Sequence, residues 1–415
     1  TMLGHIDQCS DEAVAKEYAG LAKFFRAKFY FDKVKRFGDV PWYDKELDST
    51  DPSLFNPRDS RELVMTHMLE DIDEAIASLP EAVSTFRVNK WSALMLKAQF
   101  CLYEGTFRKY HNINLEGHTA NDFLTLAYEA AQQVMESGKY HLASDYHELF
   151  REPDADPNEF ILAIKMDASI EESKDRDPRF GMILRLPDYV RAETKATYYG
   201  PQLNATATGY HLDKYVMDPK YETANRADLS FNDIPVFRLG EAYLIYAEAK
   251  AELNILTQED VDKSINILRD RVGMPHLELA GLTVDPFLVS DKYGYKHLAE
   301  LNPSNLAQIL EVRRERTIEL FLEVSRWDDI VRWKEGETWL EPLQGMYFAG
   351  PGLYDLTGTG KKYFYLYDTA KEPDNIAKDI KDKCTFIQIQ EIEIDGKYVA
   401  RSNGIVLSEG RSGFV

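Results

Sequence analysis

The sequence predicts a mainly α-helical protein of tetratricopeptide-like helical hairpins, with long irregular loop insertions and few short strands. Apolar residues recur with a helical period through most of residues 10–139 and 236–334. Two pairs of consecutive helical segments, beginning near residues 91 and 237, both combine closely spaced small residues with tyrosines. Such patterns are typical of repeated helix pairs that pack closely. The segments 140–235, 273–303 and 336–415 lack this period and are predicted to be loop-rich insertions on one domain, 1–415.

Four helices are predicted in the first half of the chain, at 10–36, 60–79, 90–107 and 121–137. Gly38 and Gly138 follow the first and the last of these, and Pro80 follows the second. Glycine and proline commonly end helices, so these residues define the boundaries.

The second half begins with a strand-like run at 160–165, followed by predicted helices at 236–253 and 258–272. A long helix is then predicted from Ser304, a good N-cap residue, to Trp333. Two further strand-like runs lie in the Gly- and Tyr-rich tail, at 362–367 and 384–394.

The stretch ERTIELFLEVSRWDDIVRW, residues 315–333, carries many charges of both signs. As one helix it would place Leu320, Val324, Trp327 and Val331 on a single apolar face. Its charges would pair at i,i+3 or i,i+4, each exposed pair stabilising the helix by about 0.3–0.5 kcal/mol. The predicted pairs are Glu323–Arg326, Arg326–Asp329 and Asp328–Arg332. We therefore expect a structural helix whose charges connect neighbouring helices, and no catalytic carboxylate cluster.

Composition argues against several classes of partner. The 415 residues include 49 basic and 70 acidic ones, a formal net charge of −21, which disfavours binding to nucleic acid. The three cysteines, Cys9, Cys101 and Cys384, have neither disulfide-framework nor zinc spacing. Residues 154–159 begin like a calcium loop but lack its glycine and its final glutamate, so no metal or cofactor is predicted. The sequence contains neither an apolar run long enough to span a membrane nor a signal peptide.

Catalytic motifs are also missing from the sequence. It has no His-Glu-x-x-His, no Gly-x-Ser-x-Gly and no phosphate-binding loop, and GTGKK at 358–362 lacks the flanking residues of such a loop. We predict that the protein is not an enzyme. A glycoside hydrolase on a helical scaffold stays open as an alternative, because 70 acidic residues guarantee chance pairs.

Aromatic side chains in irregular segments are the best candidates for ligand binding. Sugars stack their C–H faces on flat rings and bond through their hydroxyls to nearby polar groups. The stretch 196–210 offers both kinds of group, and DKYGYKH offers two more tyrosines. The alternative is that these tyrosines pack the loops onto the helices. The candidates are Tyr198, Tyr199, Tyr210, Gln202, Asn204, Tyr293 and Tyr295.

Four stretches, in order, resemble the SusD/RagB family of glycan-binding lipoproteins of the Bacteroidetes outer membrane. They are FFRAKFYFDKVKRFGDVPWY (24–43), WSALMLKAQFCLYEGTF (91–107), DIPVFRLGEAYLIYAEAKAEL (233–253) and the 315–333 stretch. In the last, Val324 stands where the family usually has Gly and Ile330 replaces Leu. The matching residues there are Glu315, Arg316, Glu319, Leu320, Glu323, Arg326, Asp329, Arg332 and Trp333.

The resemblance implies a SusD-like α-α superhelix and a non-catalytic protein that captures oligosaccharide or polysaccharide. It also implies a SusC-like TonB-dependent transporter as the partner that receives the glycan. The expected location is the outer face of the outer membrane, through a lipid anchor that this sequence does not contain. The resemblance also implies that the family's N-terminal and C-terminal segments are missing from this sequence. A peptide-binding RagB-like uptake protein remains the main alternative.

Overall fold

The computed structural model describes residues 2–146, 148–150, 155–167, 178–185, 189–190, 197–198, 211–216, 232–286, 288–289, 298–302, 304–323, 325–337, 351–355, 360, 363–367, 374–388, 390–394, 397–402 and 405–407. These residues are mostly helical with few short strands, which confirms the predicted fold class. The α-helices are α1 Glu12–Phe37, α2 Arg61–Ser78, α3 Lys90–Tyr110, α4 Ala120–Met135, α5 Pro178–Ile183, α6 Leu239–Glu252, α7 Gln258–Asp262, α8 Ile265–Arg271, α9 Leu298–Leu301, α10 Leu306–Glu319, α11 Arg326–Arg332 and α12 Lys378–Lys381.

The strands among the described residues form four small sheets. β1 (Phe160–Asp167) pairs antiparallel with β4 (Asn232–Arg238), and β2 (Tyr189–Val190) pairs antiparallel with β3 (Thr197–Tyr198). β6 (Tyr363–Tyr367) lies between antiparallel β5 (Gly352–Tyr354) and parallel β7 (Cys384–Gln388). β9 (Lys397–Ser402) lies between β8 (Gln390–Ile394) and β10 (Ile405–Leu407). The tail, predicted to be loop-rich, thus carries two three-stranded sheets.

Side-chain caps explain where the first four helices begin. Asp11 accepts hydrogen bonds from two backbone N–H groups of α1, and Ser60 accepts one from α2. Asn89 and Thr119 form reciprocal capping boxes at the starts of α3 and α4. These bonds satisfy N–H groups that have no partner inside the helix.

The helices pack against one another in pairs around one large apolar core. α1 packs on α2, α3 on α4, and α6 on both α4 and α10. Gly105 permits the close approach of α3 to α4, because a Cβ there would lie 2.8 Å from Leu124 Cγ. The fully buried members of this core include Phe24, Met68, Leu94, Phe100, Phe123 and Leu244.

Three predicted helices differ from the structure. The segment predicted as helix from residue 236 continues as strand through Arg238, so α6 begins only at Leu239. The helix predicted at 258–272 is two short helices, α7 and α8. The helix predicted from Ser304 to Trp333 begins after Asn305 and is interrupted between Glu319 and Arg326.

The backbone leaves the helical conformation between α10 and α11. Leu322 has a φ of 65°, a left-handed conformation that an α-helix of L-residues cannot contain. The turn changes the predicted apolar face, since Trp327 is 63% exposed and Phe321 is 38% exposed. The prediction that Trp327 lies on a buried face is therefore wrong.

Candidate functional site

The structure describes only one of the predicted ligand-binding residues, and only its backbone. Tyr198 is in β3, opposite Tyr189 of β2. The other candidates, Tyr199, Gln202, Asn204, Tyr210, Tyr293 and Tyr295, lie outside the described residues. The assignment of these seven residues to a ligand site therefore stays a prediction, and the described residues show how their segments are attached.

The residues on either side of the first tyrosine segment, residues 186–210, are joined by a backbone bridge. Leu184 pairs with Leu212 in an isolated antiparallel bridge. The Arg185 N–H donates to the His211 carbonyl oxygen at 2.8 Å, and the Asp213 N–H donates to the Ile183 carbonyl oxygen at 2.6 Å. The two ends of the segment are thus held beside each other.

Two buried cations attach this bridge to the helical core. Arg179, in α5, donates to Glu315 Oε2 at 2.8 Å and to Glu319 Oε2 at 3.2 Å. Lys214 Nζ donates to Glu323 Oε1 at 2.6 Å and to the Tyr146 hydroxyl at 2.9 Å. Arg179 and Lys214 flank the bridge in sequence, so its two sides are tied to α10 and to the turn that follows α10.

The acceptors form a stripe along α10 and the turn after it. Glu315 and Glu319 are four residues apart on α10, a spacing that places side chains on one face of a helix, and Glu323 lies in the turn that follows. Arg238, at the end of β4, binds both oxygens of Glu323 at 2.6 and 2.8 Å and also donates to Glu319 at 2.9 Å. The complete set, which we call the buried ion cluster, is Glu159, Arg179, Lys214, Arg238, Arg269, Arg271, Glu311, Glu315, Glu319 and Glu323.

Burial and charge act on the cluster in opposite directions. Burial lowers the pKa of Lys214 to about 8, although the neighbouring Glu323 carboxylate raises it. Burial alone would raise the pKa of Glu319, but the guanidinium groups of Arg271, Arg238 and Arg179 outweigh it and hold that pKa well below its usual range. Glu319 is thus ionised throughout the physiological range, and its charge is shared among three arginines.

The second tyrosine segment, around Tyr293 and Tyr295, is bounded by apolar anchors. Leu288 precedes it and Leu298 follows it, and both are buried in one cluster with Tyr110, Leu310 and Trp333. Asn302 Nδ2 also donates to the Tyr110 hydroxyl at 3.3 Å. Both ends of this segment therefore also meet at one place on the core.

Two of the charges for which local pairs were predicted in residues 315–333, Glu323 and Asp328, pair with distant elements. Glu323 pairs with Arg238 and Lys214, and Asp328 pairs with Lys35 of α1 at 2.6 Å. Arg332 pairs with Asp329 and with Glu248 of α6. The expectation that these charges connect neighbouring helices is confirmed, whereas the Asp328–Arg332 partnership is wrong. One of the actual partners of Glu323, Arg238, lies in the FRLGEAY stretch, which belongs to one of the four stretches that resemble the family.

The described carboxylates were also searched for metal-type arrangements. Within the described ranges, no group of His, Cys, Asp and Glu residues is arranged to hold a metal ion. Glu159, the last residue of the calcium-like stretch, instead accepts from Arg238 at 3.0 Å and from Arg271 at 2.9 Å. No described helix is both long and apolar enough to cross a membrane.

Comparison with known proteins finds one family and several similar structures. Residues 104–397 match a family model described as the SusD family. A SusD-like protein of Formosa agariphila is 25% identical over 373 residues, which cover 80% of this chain and 69% of the relative.

Solved structures have the same fold as this chain. A SusD-like carbohydrate-binding protein of Bacteroides fragilis aligns with a TM-score of 0.57 at 21% identity, covering 78% of this chain and 68% of that one. A laminarin-binding SusD-like protein aligns with a TM-score of 0.54 at 20% identity, covering 81% of this chain and 75% of that one. A structure with xylogluco-oligosaccharide aligns with a TM-score of 0.57 at 18% identity, covering 80% and 68%. At these identities the similarity establishes the helical fold.

Proposed function

The chain belongs to the SusD family, whose model matches residues 104–397, and from that membership we propose that it is a non-catalytic protein that binds oligosaccharide or polysaccharide. The ligand contacts are assigned to the two tyrosine segments, with stacking on Tyr198 or Tyr199 as the main contribution. The similar structures support carbohydrate binding, because one of them is described as laminarin-binding and another was solved with xylogluco-oligosaccharide.

The observation that carries the proposal is the attachment of the first tyrosine segment. Arg179 and Lys214 tie its base to the buried ion cluster, and the backbone bridge at Leu184 and Leu212 closes it. A binding loop on a fixed base loses less conformational entropy when it binds, because its ends are already positioned. Rigid anchoring of an aromatic-rich segment suits recognition of a neutral ligand with flat C–H faces.

The test is calorimetric titration of the purified protein with a panel of starch, levan, xylan, mannan and laminarin oligosaccharides. We expect saturable binding to one class, and a loss of at least about tenfold in affinity for Tyr198→Ala or Tyr199→Ala, since stacked aromatic rings dominate such contacts. The matched control is Tyr18→Ala, which removes a tyrosine that is 48% exposed on α1.

Three results would contradict the proposal. Equal affinity in Tyr198→Ala, Tyr199→Ala and Tyr18→Ala would show that the ligand does not bind at the first tyrosine segment. Binding to basic peptides alone, weakening steeply as salt rises, would favour the peptide-binding RagB-like function, which the net charge of −21 makes physically reasonable. Hydrolysis of a bound glycan would show that the protein is an enzyme.

The proposed partner is a SusC-like TonB-dependent transporter, and the proposed location is the outer face of the outer membrane. Family membership supports both parts of this proposal. Co-purification of the tagged protein with a TonB-dependent transporter from the outer-membrane fraction tests both at once. Recovery of the protein without any transporter, or from another fraction, would contradict this part of the proposal alone.

A further inference from the structure

The outer face of α1 is both apolar and exposed. It consists of Val14, Tyr18, Phe25 and Phe29, whose spacing of four, seven and four residues places them on one side of a helix. All four are between 42% and 54% exposed. The opposite side of α1, which includes Phe24, is buried in the core, where α1 packs on α2. An exposed row of large apolar side chains of this kind marks an interaction surface.

The charges along α1 have opposite signs at its two ends. The acidic residues at the start, opposed by Lys16 alone, are Asp11, Glu12 and Glu17. The basic residues of the second half, opposed by Asp32 alone, are Lys28, Lys33, Lys35 and Arg36. A helix with an acidic start and a basic end is complementary in charge to a copy of itself that runs in the opposite direction.

We propose that the outer face of α1 binds the same face of a second copy of this chain, with the two α1 helices antiparallel about a two-fold axis. A two-fold contact uses the same patch on both copies, so that patch has to complement itself. The outer face of α1 meets this requirement in its apolar residues and in its charges. The proposal involves no ligand and does not depend on the proposed glycan binding.

One antiparallel register satisfies the apolar contacts. When Phe29 of one copy lies beside the partner's Tyr18, Phe25 lies beside the partner's Ala22. The aromatic pair can stack, and the small alanine leaves room for the phenylalanine ring. The two-fold axis repeats each of these contacts, so four aromatic rings of each dimer are removed from water on each side of the axis or across it.

The same register also pairs the charges at the edges of the face. It places Arg36 beside the partner's Asp11. It also places Lys28 within reach of the partner's Glu17, on the same flank of the helix pair. A register that aligned the two helices in parallel would instead place acidic residues beside acidic ones and basic residues beside basic ones.

The dimer is expected to be weak and reversible. A contact made by one helix from each copy is smaller than a standard protein interface, and association also costs translational and rotational freedom. The net charge of −21 on each copy opposes association at low salt. At about 0.15 M salt the Debye length is about 8 Å, so this long-range repulsion is screened while direct contacts persist.

The experiment is sedimentation equilibrium of the full chain in about 0.15 M salt, over concentrations of about 1–200 μM. We expect the mass to rise reversibly from 47.7 kDa toward twice that value, with a dissociation constant of about 1–50 μM. Phe29→Ser should raise that constant at least about tenfold, because one substitution removes two rings from the dimer. The matched control is Ile255→Ser, at a residue that follows α6 and is 47% exposed, and it should leave the constant unchanged.

A charge reversal tests the antiparallel register itself. Glu17→Lys and Lys28→Glu should each raise the dissociation constant by about three- to tenfold, because each creates two like-charge contacts. The double variant restores opposite charges across the interface and should return to within about threefold of the native constant. Both side chains lie on the surface of α1, and circular dichroism of each variant confirms that it is folded.

Four results would overturn the proposal. They are a mass of 47.7 kDa at every concentration, equal constants for Phe29→Ser and Ile255→Ser, no recovery in the double charge variant, and growth beyond the dimer. The last result would mean that the contact does not close about a two-fold axis. None of these measurements contains a glycan, so the outcome is separate from that of the glycan titration.

Discussion

The buried ion cluster allows a paired prediction at two cations that share one carboxylate. Arg238 and Lys214 both bind Glu323, and both are almost completely buried. We predict that Arg238→Met strongly destabilises the protein and that Lys214→Met barely changes its stability. The two substitutions remove the same formal charge from the same cluster. The difference between their changes in the free energy of unfolding therefore reports how ion pairing compares with the cost of desolvation at each cation.

The expected cost of Arg238→Met follows from the number of acceptors left behind. Its guanidinium donates to Glu159 at 3.0 Å, to Glu319 at 2.9 Å and to Glu323 at 2.6 and 2.8 Å. Removing one partner of a buried pair costs roughly 3–5 kcal/mol, because the remaining charge stays buried without compensation. We expect a loss at the upper end of that range, since three carboxylates are affected.

The expected cost of Lys214→Met is small because two effects oppose each other. The substitution removes the bond to Glu323 at 2.6 Å, but Glu323 keeps both bonds from Arg238. It also removes an ammonium group whose pKa burial lowers from 10.5 to about 8, a penalty on the charged form of roughly 3 kcal/mol. Methionine fills much of the same volume, so we expect a net change of about 0–1 kcal/mol.

Urea denaturation at pH 7 measures the free energy of unfolding of both variants. The pH dependence of that free energy gives a second readout. Between pH 8 and 10.5 the unfolded chain keeps the Lys214 proton that the native protein has begun to release. The unfolded state then binds more protons, so the contribution of Lys214 to stability rises with pH across this window. Native protein should therefore gain stability relative to Lys214→Met as the pH rises from 8 to 10. Equal destabilisation by the two substitutions at pH 7, or the opposite pH trend, would refute this reasoning.

Three further predictions concern packing, capping and thiol access. Gly105→Ala should lower stability by about 1–3 kcal/mol in urea unfolding, because its Cβ would meet Leu124, whereas Gly4→Ala, with no atom within 4 Å, should change it little. Ser60→Ala should cost about 1 kcal/mol by the same measurement, since the α2 N-cap bond is lost, and no loss would mean that solvent replaces that bond. Iodoacetamide should label exposed Cys9 in the native protein and reach Cys101 only after unfolding, because burial raises the pKa of the Cys101 thiol and blocks access. Detection of a Cys101 adduct in the native protein by mass spectrometry would contradict this prediction.

Helix boundaries were predictable wherever a local signal fixes them. Ser60 and Pro80 bound a predicted helix at 60–79, and α2 runs from Arg61 to Ser78. Gly38 follows α1 with a φ of 71°, a conformation that glycine adopts readily. In both helices the cap residue and the helix that it ends are neighbours in sequence, so no tertiary information is needed.

The interruption at Leu322 could not be predicted because its cause is remote. The apolar period continues from residue 306 to 333, which is why the sequence predicts one helix. The carboxylate of Glu323, however, bonds to Arg238 and Lys214, which are 85 and 109 residues away in sequence. A periodicity argument considers only neighbours on the same helix, and buried ionic bonds outweigh it here.

The candidate site likewise has features that the sequence shows and features that depend on contacts remote in sequence. The tyrosine-rich composition of 196–210 is visible in the sequence, and so is its lack of helical period. The anchors Arg179 and Lys214 were not identified, because each acts through a carboxylate more than a hundred residues away.

The closed bridge between Leu184 and Leu212 makes the first tyrosine segment exchangeable. Once the two ends are fixed beside each other, lengthening the intervening chain adds only about 0.6 kcal/mol of closure entropy per doubling. A foreign loop grafted between residues 185 and 211 would thus inherit a prepared attachment, and its own sequence would decide what it recognises. The same helical scaffold can therefore carry loops of different binding specificity without changes to its helices.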